Sequence, residues 1–438
     1  MTARVLKMKT QTNFSNTPYW HDDVGLTVQT TALAQLSDSV DVLIVGSGFT
    51  GLSAALTLAR AGKTVAVIEA KRIASGASSR NGGLLGPSFH KLGIQGLVDN
   101  FGQQTADDLL KESLKGYDWL LNFIETEQID CDLNRCGRFR GALRPAHFKN
   151  MVLQAQSLAD KLDYPVDIIE KADQHTEVGS AKYHGGVVYT KDASLHPAKL
   201  TKALIQLCQK AGVTLVEQAE VGKITENLAA FKVQIAQREI KADAVLIATN
   251  GYTGDVTSQL KKRILPIRSS MIATEPLSAE MMHSISPKLR THGGTDRLGF
   301  YYRPSADRTR FLFGGRAMSY QDKPHEYYQY LRQNMCALFP QLQRSAITHA
   351  WSGLVAYSFD HIPHLGKKNG MYYAMGYCGS GVARANYLGH NIALKMLGQG
   401  GETSFDQFAF PSKALYSGNP WFMPTLLRWH SFADKWGF

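Results

Sequence analysis

The chain has 438 residues, 44% of them hydrophobic and 19% charged, which fits a folded globular protein of two domains or of one large domain with an inserted lobe. No apolar run approaches a membrane span, the first twenty residues lack the apolar core and cleavage site of a secretory signal, and five scattered cysteines (131, 136, 208, 336, 378) form no zinc or disulfide pattern, so the expectation is a cytoplasmic protein with reduced thiols. The net charge of +11 comes from Lys and Arg spread along the chain with no nucleic-acid motif, so nucleic acid is not the expected partner, and the charge favours anionic substrates or a membrane surface, or has no specific role.

Residues 1–38 form a polar, weakly patterned arm in which Tyr19-Trp20 is the pair suited to pack onto the body. Val40–Val45 is a short apolar run that reads as a buried strand. It ends in Gly46-Ser47-Gly48-Phe49-Thr50-Gly51, a G-x-G-x-x-G, and Leu52, Ala55, Leu56 and Ala59 follow at helical spacing. Thr64–Glu69 is a second buried strand closed by Glu69, and Ala70 and Lys71 just after it are further candidates for cofactor contact. This strand–helix–strand unit is the context that makes the glycine motif specific for a dinucleotide. Gly46 allows the tight turn, Gly48 the approach of a pyrophosphate, and Gly51 the close packing of helix on strand. The helix N-terminus offers free N–H groups to the anion, and the Glu69 carboxylate can accept both hydroxyls of an adenosine ribose.

Arg72–Pro87 is rich in Gly and Ser and suits neither helix nor strand. Such a loop can run along an extended ligand and donate backbone N–H groups, with Arg80 available for phosphate. Helices are expected over Thr105–Glu125, His147–Lys161 and Ala198–Ala211, the last with His196 at its start and Gly212 at its end. Lys182–Tyr189 is β-like, Val213–Glu217 is a strand, and Ala219–Ile224 begins a further β segment. Lys241–Ala248 is an apolar strand that empties into Thr249-Asn250-Gly251-Tyr252. From Ile264 the texture changes. Strands over Ile264–Pro276, Gly299–Arg303 and Arg310–Gly315, with a helix over Glu326–Phe339, suggest a second domain on a mixed or antiparallel sheet. Trp351–Gly366 reads as irregular with buried-type aromatics, Met371–Met375 as a strand, and Gly376–Val382 as a second glycine-rich strand-to-helix turn before a helix over Ala383–Leu397.

Three glycine-rich stretches, 46–51, 76–86 and 376–381, each stand near a strand end. Several such stretches on one site suggest a long ligand with phosphates at one end and a flat ring at the other. A helix N-terminus aimed at a flavin pyrimidine edge would stabilise the anionic reduced ring, which favours FAD over NAD.

Those stretches, with Tyr19-Trp20, DVLIVGSGFTGLSAAL, GASSRNGG, ATNGY, ATEPL, YYRP, FGGR and the run from WSGLV through GYCGSGV, resemble the D-amino-acid-oxidase-type FAD oxidoreductases over most of the chain. The likeness is greatest to the γ-glutamylputrescine oxidase and D-amino-acid dehydrogenase branch. Ser380 stands where relatives in that branch often carry His. The resemblance implies an α/β fold: a Rossmann-like FAD domain of the glutathione-reductase type, discontinuous over 39–95, 190–262 and 345–400, and a substrate domain over 96–189 and 263–344 on a mixed or antiparallel sheet, with a tail over 401–438. It places Ser78, Ser79, Arg80, Asn81, Gly82, Gly83 and Leu84 along the pyrophosphate and ring. Val221 goes to the adenine, Thr249, Asn250 and Gly251 close the nucleotide site, and Gly353, Gly379, Ser380, Gly381 and Val382 lie near the flavin. No linking motif is present, so non-covalent FAD is expected.

The implied reaction moves hydride from the carbon next to an amine nitrogen to flavin N5, and the imine then hydrolyses. The implied partners are a small amine or amino acid and O2 or a quinone. Substrate candidates are Arg303 and Arg268, as anion binders, and Tyr301 and Tyr302, of which only one can face the site because they alternate across a strand. His361 and His364 read as packing residues. The alternatives are a flavin-bearing maturation factor that modifies or escorts a partner, and a membrane-associated dehydrogenase whose aromatic tail, Asn419–Phe438, touches the bilayer; the plainer reading of that tail is packing on its own domain or on a partner subunit.

Overall fold

The computed structural model describes residues 13–87, 92–227, 230–297, 299–316 and 321–436, so the first twelve residues of the arm lie outside the described residues, while the glycine-rich loop Arg72–Pro87 lies within them. Ser39–Val45 is central to the first sheet. Val42, Leu43 and Ile44 are all buried, as befits a parallel strand covered on both faces. It pairs in parallel with Val65–Ile68 on one side and with Arg238–Ile247 on the other. Across the sheet the order is His364–Lys368, Met371–Met375, Arg238–Ile247, Ser39–Val45, Val65–Ile68 and Thr214–Val216, with the antiparallel strands Val221–Asn227 and Ala230–Ile235 joined to Arg238–Ile247.

Two helices, Phe49–Arg60 and Gly381–Leu397, cross beside this sheet at close range: a Cβ on Gly389 would stand 2.5 Å from the Thr50 carbonyl oxygen. The long helix Gln103–Thr126 packs on the second of them, where Gly116 leaves room for the Tyr387 ring. The expected helices over 105–125 and 147–161 fall inside Gln103–Thr126 and Pro145–Leu162.

The second sheet runs Ile347–Tyr357, Leu265–Thr274, Phe311–Arg316, Tyr301–Pro304, Thr291–Gly294, Arg138–Gly141, Gly186–Tyr189 and Val166–Ile169. Its pairings are antiparallel except that between Thr291–Gly294 and Arg138–Gly141. One face rests on an aromatic core that includes Phe139, Tyr302, Phe311, Phe313 and Phe339, closed by the helix Pro324–Leu338. The other face carries Tyr301, Trp351 and Tyr357 toward the glycine-rich stretches of the first layer. The molecule is thus an α/β fold with a parallel-centred sheet and a second, mixed sheet.

Three expectations are corrected. The 351–366 stretch is not irregular throughout, because Ile347–Tyr357 is an eleven-residue strand; both of its faces are largely covered, so it shows no polar–apolar alternation. That strand belongs to the second sheet, not to the first layer with 358–400. The helix Gln103–Thr126 and the part of Gly93–Phe101 beyond residue 95, expected in the substrate lobe, join the core of the first layer: Leu97, Leu109 and Leu120 share a cluster with Leu52, Leu56 and Leu388. An amphipathic stripe shows that a helix packs, not on what.

Candidate functional site

Side-chain contacts bring the three glycine-rich stretches together. Gly46 turns with φ +105°, and a Cβ there would lie 3.0 Å from the Ala248 carbonyl oxygen at the end of the neighbouring strand. A Cβ on Gly51 would lie 2.0 Å from the Gly46 carbonyl oxygen, so helix and turn meet with no room for a side chain. The second stretch joins the first where the Phe49 N–H donates to Ser78 Oγ at 2.9 Å. The third joins it through Tyr377, whose hydroxyl lies 2.6 Å from Thr50 Oγ1 and donates to the Ala374 carbonyl. The Gly376 N–H donates to Asn250 Oδ1 at 3.0 Å, which draws in the 249–251 turn.

The end expected to hold the nucleoside is built around Glu69. Its carboxylate accepts from the Ser47 N–H and hydroxyl and from the Lys71 N–H, so its orientation is set before any ligand arrives. A carboxylate has about four acceptor positions, so room for ribose hydroxyls remains. Ala70 and Lys71 are exposed beside it. Val221 is near the same end, because the Ala219 N–H donates to the Glu69 carbonyl.

The 77–83 loop is held from within. Asn81 donates to the Ala77 and Ser78 carbonyls and accepts from the Gly83 N–H, while Ser79 donates to the Ala74 carbonyl. Leu84 continues into a two-residue strand paired with Ala193–Ser194. Arg80, expected to be available for phosphate, instead donates from Nε to the Ser75 carbonyl and from a terminal nitrogen to the Ser352 carbonyl. These residues fit FAD by their chemistry. A helix of twelve residues opens at Gly48 with no side-chain cap from that residue, a carboxylate is fixed at the second strand end, and glycine at 46 and 51 lets the turn and the helix close up tightly beneath them.

The second sheet lies over this assembly. The Tyr301 ring lies 2.8 Å from where a Cβ on Gly82 would stand, and the Tyr357 hydroxyl 3.3 Å from where one on Gly379 would. Gly353 lies between them, beside Arg80 and the Tyr252 hydroxyl. Tyr301 and Ser269 share a hydrogen bond at 3.0 Å. Burial pushes Tyr301 up to about 12 and raises Tyr357, so both are neutral hydroxyls at ordinary pH. At the third stretch Gly379 has φ +93°, and Ser380 starts the helix Gly381–Leu397, with Val382 buried behind it, without capping it by its side chain.

The structure separates the other substrate candidates. Tyr302 points into the aromatic core, 2.6 Å from the Tyr183 hydroxyl, so Tyr301 is the member of the pair that faces the first layer. Arg303 is 3% exposed, donates to the Pro304, Gly83 and Leu195 carbonyls, and lies over Trp20; burial brings it down to about 10. Its donors tie the two layers together, which corrects its reading as a substrate anchor. Arg268 alternates with Ser269, so it points away from Tyr301. There it bonds Ser352 Oγ and pairs with Asp322 at 3.5 Å. His364 lies 3.0 Å from Asp360 and stacks on Phe410, His361 packs edge-on to Tyr357, and His196 caps the helix Pro197–Lys210 by accepting from the Lys199 N–H. Sequence reasoning missed Ser269, Tyr357 and Arg316. Alternation along each strand was legible, but the register that sets Ser269 opposite Arg316 and Gly353 was not.

Comparison with known proteins places this geometry. The family model described as FAD dependent oxidoreductase matches residues 41–394. The chain is 31% identical to the probable oxidoreductase OrdL of Haemophilus influenzae over 91% of this chain and 92% of that protein. It is 32% identical to the gamma-glutamylputrescine oxidoreductase of Escherichia coli over 85% of this chain and 87% of that protein. Among solved structures, glycine oxidase from Geobacillus kaustophilus shares the fold with a TM-score of 0.72 at 20% identity, over 86% of this chain and 99% of that one.

Proposed function

This chain belongs to the FAD dependent oxidoreductase family and uses FAD, and we propose that it oxidises the bond between nitrogen and the neighbouring carbon in a small amine or amino acid. The donor is a γ-glutamyl amine, an N-methyl or other secondary amine, or a D-amino acid. Its carbon gives up hydride and its nitrogen a proton, and water then hydrolyses the C=N product to a carbonyl compound and an amine. Bound non-covalently, FAD supplies the two-electron acceptor, and O2 or a quinone accepts the electrons in turn.

The observation that carries the reading is the meeting of three glycine-rich stretches beneath one sheet face bearing Ser269, Tyr301 and Tyr357. The chain's own residues bind and orient the amine and exclude water over that surface. The phenols of Tyr301 and Tyr357 act as neutral hydrogen-bonding groups, because burial opposes their ionisation.

The location proposed is cytoplasmic, with peripheral contact to a membrane through the C-terminal helix Met423–Trp436. Trp421, Trp429 and Phe432 are exposed there; the side chain of Trp436 and residue Phe438 lie outside the described residues. Among the described residues no helix is long and apolar enough to cross a membrane.

The test is an anaerobic absorbance titration of purified protein with D-amino acids, N-methyl amino acids, polyamines and γ-glutamyl amines. The expected result is a yellow protein bleached by one of these classes, with colour returning in air if O2 is the acceptor. Acid precipitation should release the flavin into the supernatant. A yellow protein that no amine bleaches would overturn the reading.

A further inference from the structure

We propose that a cavity of about 30 Å³ at the end of the strand Tyr301–Pro304 binds a small inorganic anion of the size of chloride, and that this anion braces the seam between the two layers from outside the candidate site. Arg303, Arg308, Asn134, Ser194, Thr291 and Asp132 are among the residues that line it, whereas Ser269, Tyr301 and Tyr357 are not. Space of this volume takes about two waters or one monatomic anion.

Arg303 supplies the charge. It is 3% exposed; Nε donates to the Pro304 carbonyl and Nη1 to the Gly83 and Leu195 carbonyls, all of them neutral. Among the described residues Nη2 has no hydrogen-bond partner, and the side chain stands on the cavity wall. A cation buried among neutral groups has lost its water without gaining a counter-charge, and an anion in the cavity would supply one. Asp132 is the one acid among the described residues of the wall, and its carboxylate is already held by Lys199 at 2.7 Å. Asp307, beside Arg308 in the chain, turns into its own loop, where it accepts from the Ser305 and Thr309 hydroxyls. The cavity therefore meets two guanidinium groups and one carboxylate that is already paired.

Arg308 is exposed, so it stands where the cavity opens. Its φ of +61° lies in the left-handed region, where a turn ordinarily places Gly, Asn or Asp. Ser194 adds a donor: its buried hydroxyl accepts from the Cys136 thiol at 3.7 Å, which leaves its own proton for the cavity. The same residues reach the glycine-rich loop. Ser194 pairs with Leu84 in the two-residue strand, and Arg303 bonds the Gly83 carbonyl. An anion on Nη2 fixes the guanidinium that holds Gly83, so its binding favours the loop conformation on which the flavin lies.

Two measurements on the holoenzyme test this. In the first, thermal melting is followed while potassium gluconate is replaced by potassium chloride at constant ionic strength, gluconate being too large for the cavity. The expected result is a saturable rise in melting temperature of about 2–4 °C. Its midpoint should move to a chloride concentration tenfold or more higher in Arg308→Gly, which suits the φ of +61° and removes the guanidinium, and by less in Arg308→Lys, which keeps the charge. Ser194→Ala should move it in the same direction. In the second, crystals are soaked in bromide, and an anomalous-scattering peak is expected in the cavity, within hydrogen-bonding distance of Arg303 Nη2. A melt that does not distinguish chloride from gluconate, a chloride response unchanged in Arg308→Gly, or a cavity that holds only water in bromide overturns the site. A bromide peak together with the weakened response of Arg308→Gly upholds it even where no amine bleaches the flavin, so the site and the amine-oxidising reading stand or fall separately.

Discussion

Gly51 is the residue whose replacement the geometry forbids most directly. A Cβ there would stand 2.0 Å from the Gly46 carbonyl oxygen, and the obstacle is main chain, so turn and helix must part. Overpacking of this kind costs about 1–3 kcal/mol, and it falls on the turn expected to carry the pyrophosphate. Gly51→Ala should lower the melting temperature by several degrees and reduce the flavin-to-protein absorbance ratio. Gly254→Ala, where a Cβ meets nothing within 4 Å, should change neither. Equal flavin content in both variants would refute the argument. Arg303 makes the complementary case. Replacing it with Met removes the Arg303 donor from the Leu195 and Pro304 carbonyls and leaves the Gly83 carbonyl only the Leu195 N–H, and hydrogen bonds to a charged group contribute about 1.5–3 kcal/mol each. The expected result is a destabilised protein, read by thermal melting, with flavin affinity weakened along with it; a normal melt with only a raised KM would restore the substrate-anchor role. The difference between these two residues explains what the sequence discloses. The role of Gly51 is local to a strand–turn–helix, whereas Arg303 finds its acceptors at Gly83 and Leu195, over a hundred positions away.

At the scale of elements, the short helix Tyr19–Val24 clips the arm onto the glycine-rich loop. Trp20 is fully buried and donates from its indole nitrogen to the Asn81 carbonyl at 2.9 Å. The Ser79 hydroxyl already donates to the Ala74 carbonyl, so it accepts from His21 Nε2, also at 2.9 Å. Asp22 and His349 hold the helix to the second sheet at 2.7 Å. Burial first, then the nearby Arg80 charge, lowers His21 from 6.5 to about 4. The unfolded chain therefore binds a proton at His21 that the folded chain resists, and this contribution to stability falls as pH drops from about 6.5 to about 4. Melting followed by flavin fluorescence should show the natural protein losing stability across that window more steeply than His21→Gln, which cannot take up the proton. Parallel curves would remove His21 from the account. The Tyr19-Trp20 pair was legible as the packing point of the arm, and Trp20 has no accessible surface. The strand Ile347–Tyr357 was not legible as a strand, because burial of both faces erases the alternation that marks a half-exposed one.

At the scale of the molecule, the first layer could be read from its parallel strands and glycine turns, each of them a contiguous signal. The way the second sheet lies over them could not, since it depends on register between strands far apart in the chain. The C-terminal helix Met423–Trp436 joins these scales. Its inner residues Met423 and Leu427 share a buried cluster with Ile267, Tyr357 and Cys378, beside the candidate site. Its outer side and the residue leading into it expose Trp421 at 75%, Trp429 at 55% and Phe432 at 47%. Aromatic side chains of this kind partition into the headgroup region of a bilayer, and the chain's net charge of +11 adds attraction to an anionic leaflet. Vesicles with anionic lipid should therefore co-sediment the holoenzyme better than neutral ones, and raised salt should weaken the difference. Replacing Trp421, Trp429 and Phe432 together with Ser should abolish binding while flavin content stays normal, because Met423 and Leu427, which hold the helix down, are untouched. Unchanged partitioning of that variant would show that these side chains do not mediate membrane contact.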